Sequence, residues 1–199
     1  MEIYENVCRC VNIAHEGLNE ALKTTMTIKT VGITNQRETL VAWNSSTGQP
    51  YYNAIVWDDT RTTHTAREIA HEAPCVNSFT KDSDKLRAQT GLPLASYFSG
   101  TKLRWMLENV PLLRQDLQSE SECQNVRFGT IDSWLVYNMT GTPNDKYRTG
   151  GIHVTDVTNA SRWLLMDLKN LNWDEILVGI VAGKNNPKVP LSTLPQVLR

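Results

Sequence analysis

Two neighbouring residues with opposite hydrogen-bonding habits, Arg37 and Glu38, sit in the polar centre of "VGITNQRETLVAWN" (Val31–Asn44). A guanidinium carries donors in a rigid fork and no acceptor, whereas an ionised carboxylate only accepts. In a regular strand consecutive side chains leave on opposite faces, so the two can serve one site only if the backbone bends or bulges between them. A structural ion pair is the competing reading. Two aromatics also stand at the ends of apolar stretches, Trp57 closing "YYNAIVW" and Tyr97 opening "YFSGTKLRWMLENV". Asp132 and Asp156 invite a metal or base reading, yet an aspartate beside Ser133 within a helix and one in a threonine-rich loop occupy ordinary positions for caps and turn formers.

Other chemistries are disfavoured. Cys8, Cys10, Cys75 and Cys123 form no C-x-x-C pair, and His15, His64, His71 and His153 do not recur at ligand spacing, so the sequence points to free thiols in a reducing compartment and no metal site. A formal net charge of -1 over 199 residues removes the electrostatic case for nucleic acid or an anionic membrane. With no transmembrane-length apolar run, the expectation is a cytoplasmic protein whose partner is a small molecule or another protein.

The elements that must position these residues follow from periodicity. Ile3, Val7, Cys10, Val11, Ala14, Leu18 and Leu22 recur at spacings of three and four, which predicts an amphipathic helix over Met1–Leu22. Strands are expected at Ile28–Ile33, Thr39–Asn44 and Tyr51–Trp57, with "NSSTGQP" as the hairpin turn between the last two. Helices are expected at Thr62–Glu72, within "DSDKLRAQTG" with Gly91 as its stop, at Tyr97–Val110, around Ile131–Met139, and in "LNWDEILVGI". "GGIHVTDVTNAS" reads as loop or extended chain. Alternating strands and helices predict an α/β domain with one main sheet.

Taken in order, "GITNQRET", "YNAIVWDDTRT", "TGLPLASYFSGTKLRWMLENV", "FGTIDSWLVYNMTG", "VTDVTNASR" and "LNWDEIL" resemble the N-terminal half of the glycerol kinases, within the FGGY carbohydrate kinases, over nearly the whole chain. The resemblance implies a partial α/β domain of the actin-like or ribonuclease H-like ATPase fold. It also implies an enzyme that transfers the γ-phosphoryl of ATP, with Mg2+, to the 3-hydroxyl of glycerol. Carried onto this sequence, it gives Arg37, Glu38 and Tyr97 as polyol-binding residues and Trp57 as the apolar wall behind the glycerol carbons. The roles suit the chemistry, because a fork of donors beside an acceptor fixes neighbouring hydroxyls and an aromatic covers the carbon side.

The same resemblance sets limits. Relatives carry a "D-x-G-T-[ST]" phosphate loop ahead of the position of Met1, and a catalytic aspartate and adenine site past that of Arg199. The expectation is therefore an incomplete polyol-binding domain over residues 1–199, with no catalytic residue of its own and no ATP or Mg2+ convincingly bound. "FSGTK" (Phe98–Lys102), with one glycine and a helical continuation, does not read as a phosphate loop. Such a chain is expected to be inactive alone and, with its sheet edge uncovered, marginally stable. The alternative is a non-catalytic polyol-binding or regulatory partner that associates with a full-length kinase or with itself.

Overall fold

The alternation in "LVAWN" does the first structural work. β1 (Leu40–Asn44) is buried along almost its whole length, with Leu40 and Ala42 in one apolar cluster and Val41 and Trp43 in another. A strand directs successive side chains to opposite faces, so this five-residue element partitions two cores. In this computed structural model, which describes residues 2–74 and 81–199, the partner strand runs antiparallel to β1 in the register Leu40↔Thr130, Ala42↔Phe128 and Asn44↔Val126. Gly129, opposite Val41, leaves room for the indole of Trp43: a Cβ there would come within 2.9 Å of the ring.

Around this ladder the chain runs α1 (Glu2–Leu22), β1, α2 (Thr63–Glu72), α3 (Arg87–Thr90), α4 (Ser99–Asn109), α5 (Pro111–Gln118), β2 (Val126–Thr130) and α6 (Ile131–Thr140). It continues through β3 (Thr142–Asn144), β4 (Tyr147–Thr149), β5 (Val154–Asp156), α7 (Val157–Ala160), β6 (Met166–Asp167), β7 (Asn172–Trp173), α8 (Glu175–Ala182) and β8 (Gln196–Leu198). The larger core lies between β1–β2 and α2, α4, α5 and α8, and α4 places Leu103, Met106 and Leu107 within it. Gly100 lets α4 approach the backbone carbonyl of Trp163 and the side chain of Val181, a gap that no Cβ would fit. The smaller core packs Trp43 edge-on against Trp134 and Tyr137, at ring separations of 5.2 Å each.

Helix expectations hold within a residue or two at α2, α4 and α6, and Gly91 ends α3 in the left-handed conformation (φ 72°). Three strand expectations need correction. Ile28–Ile33 forms no strand: it has no ladder partner among the described residues and exposes Ile28 and Val31. Tyr51–Trp57 contributes only one isolated bridge, Leu40↔Ile55, to the edge of β1, and Pro50 just ahead of it bridges Trp43. Instead of one main sheet there are, among the described residues, four two-stranded ladders, β1–β2, β3–β4, β6–β7 and the parallel pair β5–β8. The common reason is that β-branched composition marks a segment able to pair, while a strand exists only where a partner offers its backbone. α1 is helical as its spacing predicts, yet it buries none of its described residues. Cys75 lies outside the described residues; Cys8, Cys10 and Cys123 are free thiols.

Candidate functional site

The bend required at Arg37–Glu38 is present. The chain turns over Gln36–Thr39, where the Thr39 amide donates to the Gln36 carbonyl (3.2 Å) and the Thr39 hydroxyl to the Gln36 side chain (2.8 Å). The pair precedes β1 rather than ending a strand, because the segment before it is not in a sheet. Thr39 Oγ1 also accepts from the backbone N–H of Trp57 (3.1 Å), and Leu40 and Ile55 exchange two backbone hydrogen bonds of 3.0 Å. The turn and the Trp57 backbone are therefore one unit.

Across from this turn stands α7 with the residues that follow it. Asp156 caps α7, its Oδ1 accepting from the amides of Thr158 (2.5 Å) and Asn159 (3.1 Å) and its Oδ2 from the Asn159 side chain (3.0 Å). Burial pushes this carboxyl up, but the hydrogen bonds from Thr158 and Asn159 outweigh it and hold the group below the usual carboxylate range. Three contacts then clip the 35–38 segment to α7 and its exit. Asn35 donates to Asn159 Oδ1 (3.0 Å), Arg37 Nη1 to the Thr158 carbonyl (3.4 Å), and Arg162 Nε to Glu38 Oε1 (2.7 Å).

The four expected site residues are disposed unequally. Glu38 is buried, at 4% exposure, and its carboxylate makes no other hydrogen bond among the described residues, which leaves Oε2 able to accept from a ligand hydroxyl. Arg37 is exposed and stands on the rim. Tyr97 and Trp57 meet edge-to-face with their ring centres 5.7 Å apart, and Trp57 is 40% exposed. Tyr97 makes no hydrogen bond to Arg37 or Glu38. It joins them through Arg162, whose guanidinium lies 5.7 Å from the Tyr97 ring and 4.9 Å from that of Phe98. Glu38, Arg162, Tyr97 and Trp57 thus follow one another in successive contacts, from buried carboxylate to exposed indole.

Sequence alone gives no clear signal for Arg162 or Lys102. A cation after a capped turn or within a helix reads as solvated, although "VTNASR" does place an arginine one short helix after an aspartate cap. Asp132 is a staple: it accepts from Thr130 Oγ1 (2.5 Å) and Thr155 Oγ1 (2.6 Å), tying the start of α6 to β5. Burial pushes its carboxyl up, against the pull of those hydroxyls.

The "FSGTK" stretch does not fit a phosphate loop. "FSGTK" forms the first turn of α4; Gly100 is filled against the Trp163 carbonyl, and Lys102 points at backbone oxygens. Among the described residues no group of three His, Cys, Asp or Glu side chains is placed to hold a metal ion, and no helix is long and apolar enough to cross a membrane.

The whole chain, residues 1–199, matches the FGGY family of carbohydrate kinases, N-terminal domain. A glycerol kinase of Brucella anthropi is 45% identical over 199 residues, covering 99% of this chain and 34% of its own length. One of Chloroflexus aggregans is 43% identical over 197 residues, with shares of 99% and 34%. Plasmodium falciparum glycerol kinase, solved with ADP, superposes with a TM-score of 0.71 at 36% identity, over 94% of this chain and 32% of that one. Xylulose kinase from Bifidobacterium adolescentis superposes at 0.65 and 17% identity over 86% of this chain and 35% of its own, a likeness of fold alone. The fold is accordingly part of the actin-like, ribonuclease H-like α/β fold of these kinases. The chain spans about a third of the length of the curated relatives it matches. On a match that runs from its first residue to its last, the chain belongs to the FGGY family of carbohydrate kinases, in their N-terminal domain, among relatives that are glycerol kinases.

Proposed function

We propose that this chain forms the polyol-binding part of a glycerol kinase, an enzyme that phosphorylates glycerol at its 3-hydroxyl with ATP. The observation that supports this most is the buried carboxylate of Glu38, held by Arg162 on one oxygen and open on the other, on the same face as Arg37, Tyr97 and Trp57. A triol presents donors and acceptors on a short hydrocarbon: Glu38 accepts from one hydroxyl, Arg37 donates to its neighbour, and Trp57 with Tyr97 covers the carbons. The donor side of the reaction is assigned to the family and not to the described residues, where "FSGTK" packs as the start of a helix. Turnover by these 199 residues alone is not expected. A cytoplasmic setting, with glycerol as the partner and no nucleic acid, completes the reading.

Arg37 is exposed, so its contact to the ligand competes with water and contributes about 1 kcal/mol. Glycerol affinity should then lie on the order of millimolar. Titration of the chain with glycerol, followed by tryptophan fluorescence and calorimetry, tests this. Arg37→Ala should weaken binding roughly fivefold, as loss of about 1 kcal/mol implies. An unchanged affinity removes Arg37 from the site, and tighter binding of a pentulose or of gluconate overturns glycerol as the acceptor.

A further inference from the structure

Lys102 lies in the first turns of α4 and is fully buried, without a carboxylate within ion-pair distance among the described residues. An ammonium taken out of water without a counter-charge in contact is among the costliest arrangements a core can hold. Its hydrogen bonds show where the cation is directed: Nζ donates to the carbonyl of Ser96 (2.9 Å) and to that of Tyr97 (2.6 Å). The Ser96 carbonyl also receives the hydroxyls of Thr62 (3.1 Å) and Thr101 (3.3 Å), and Thr101 in turn reaches the Phe98 carbonyl at 2.9 Å. Two consecutive carbonyls held by one cation fix the two peptide planes that meet at the Tyr97 Cα, and with them the direction in which the Tyr97 side chain leaves the backbone. That side chain packs on Trp57 and faces Arg162.

The charged groups facing Lys102 are Glu38 ahead of β1 and Asp58 and Asp59 ahead of α2. Burial pulls the lysine down to about 8, and these three carboxylates oppose that fall. Glu38 therefore has two cations in its surroundings, Arg162 in contact and Lys102 within electrostatic reach.

We propose that Lys102 is a positioning residue of the polyol site: it sets the Tyr97 ring by holding the Ser96 and Tyr97 carbonyls, and with Arg162 it supplies the positive field around the buried Glu38 side chain. This rests on the polyol reading of the same face and adds a residue that never touches the ligand.

The test uses the whole chain and two readouts. In Lys102→Met, which keeps the length of the side chain but not its charge, amide hydrogen exchange at Tyr97, Phe98 and Ser99 should accelerate at least tenfold, while amides of β1–β2 keep their protection. Glycerol affinity should fall at least fivefold. In the unaltered chain, affinity should weaken as pH rises from 6.5 to 9.5 with a midpoint near 8, and the variant should show no such dependence. This profile decides the matter even if Lys102→Met fails to fold, since a flat profile in the unaltered chain overturns the proposal. Unchanged exchange at residues 97–99 in a folded variant overturns it as well. If the unaltered chain binds no glycerol, the polyol reading fails, and exchange at residues 97–99 alone decides whether Lys102 holds Tyr97.

Discussion

At the scale of single residues, the buried ionisable groups carry the strongest consequences. His153 donates from Nε2 to the Phe128 carbonyl (2.7 Å) and packs edge-on against Trp43. Burial pushes it down to about 4, with Arg127 adding to the effect. The unfolded chain takes up a proton on this ring near its ordinary value of about 6.5, and the folded chain does not. Its contribution is therefore intact above pH 6.5 and is lost as pH falls toward 4, by up to about 3 kcal/mol. Urea unfolding at pH 7 and pH 4.5 should show that loss, and His153→Gln, which keeps a donor but cannot be protonated there, should flatten it; an equal slope in the variant excludes His153 as the source. Residue types were informative in the sequence where their chemistry is unusual in a pair. Arg37 beside Glu38 was visible for that reason, and so were two aromatics at the ends of elements. Arg162 and Lys102 were not, because a sequence shows that a side chain is charged and not that it is buried.

At the scale of elements, α7 matters beyond its four residues. Its capped first turn presents Thr158 and Asn159 to the 35–38 segment and carries Arg162 at its exit. Asp156→Ala removes both backbone bonds of the cap and should cost about 1–2 kcal/mol of stability. It should also weaken glycerol binding, because the partners of Arg37 and Glu38 lose their register; binding at full strength in the destabilised variant would separate α7 from the site. Helices were readable in the sequence because a helix closes its own hydrogen bonds and so betrays itself by a local period, as at Leu103, Met106 and Leu107, or by a local stop such as Gly91. Ile28–Ile33 and Tyr51–Trp57 have strand-like composition but no complete ladder, and that depends on chain far away in sequence.

For the whole molecule, the division of the apolar residues is uneven. β1 has a core on each face, whereas the segment from α1 to Val31 leaves Ile3, Val11, Ile13, Leu18, Leu22, Met26, Ile28 and Val31 exposed. Ile13 and Val31, at 64% and 63% exposure, can be exchanged for lysine at a cost within about 0.5 kcal/mol, while Leu103→Ala at a fully buried position should cost about 2–5 kcal/mol. Chemical denaturation checks both figures, and light scattering should show the lysine variants remaining monodisperse at higher concentration; a loss above 2 kcal/mol in either lysine variant would mean that these side chains are packed in solution. The clip between the turn and α7 has a temporal meaning as well. Asn35 and Glu38 find their partners 124 residues further along, and Arg37 finds its own 121 further. Contacts of such separation close large loops and form late in folding. During synthesis, Glu38 leaves the ribosome long before its arginine partner, so the nascent chain keeps that side chain in water until residue 162 has emerged.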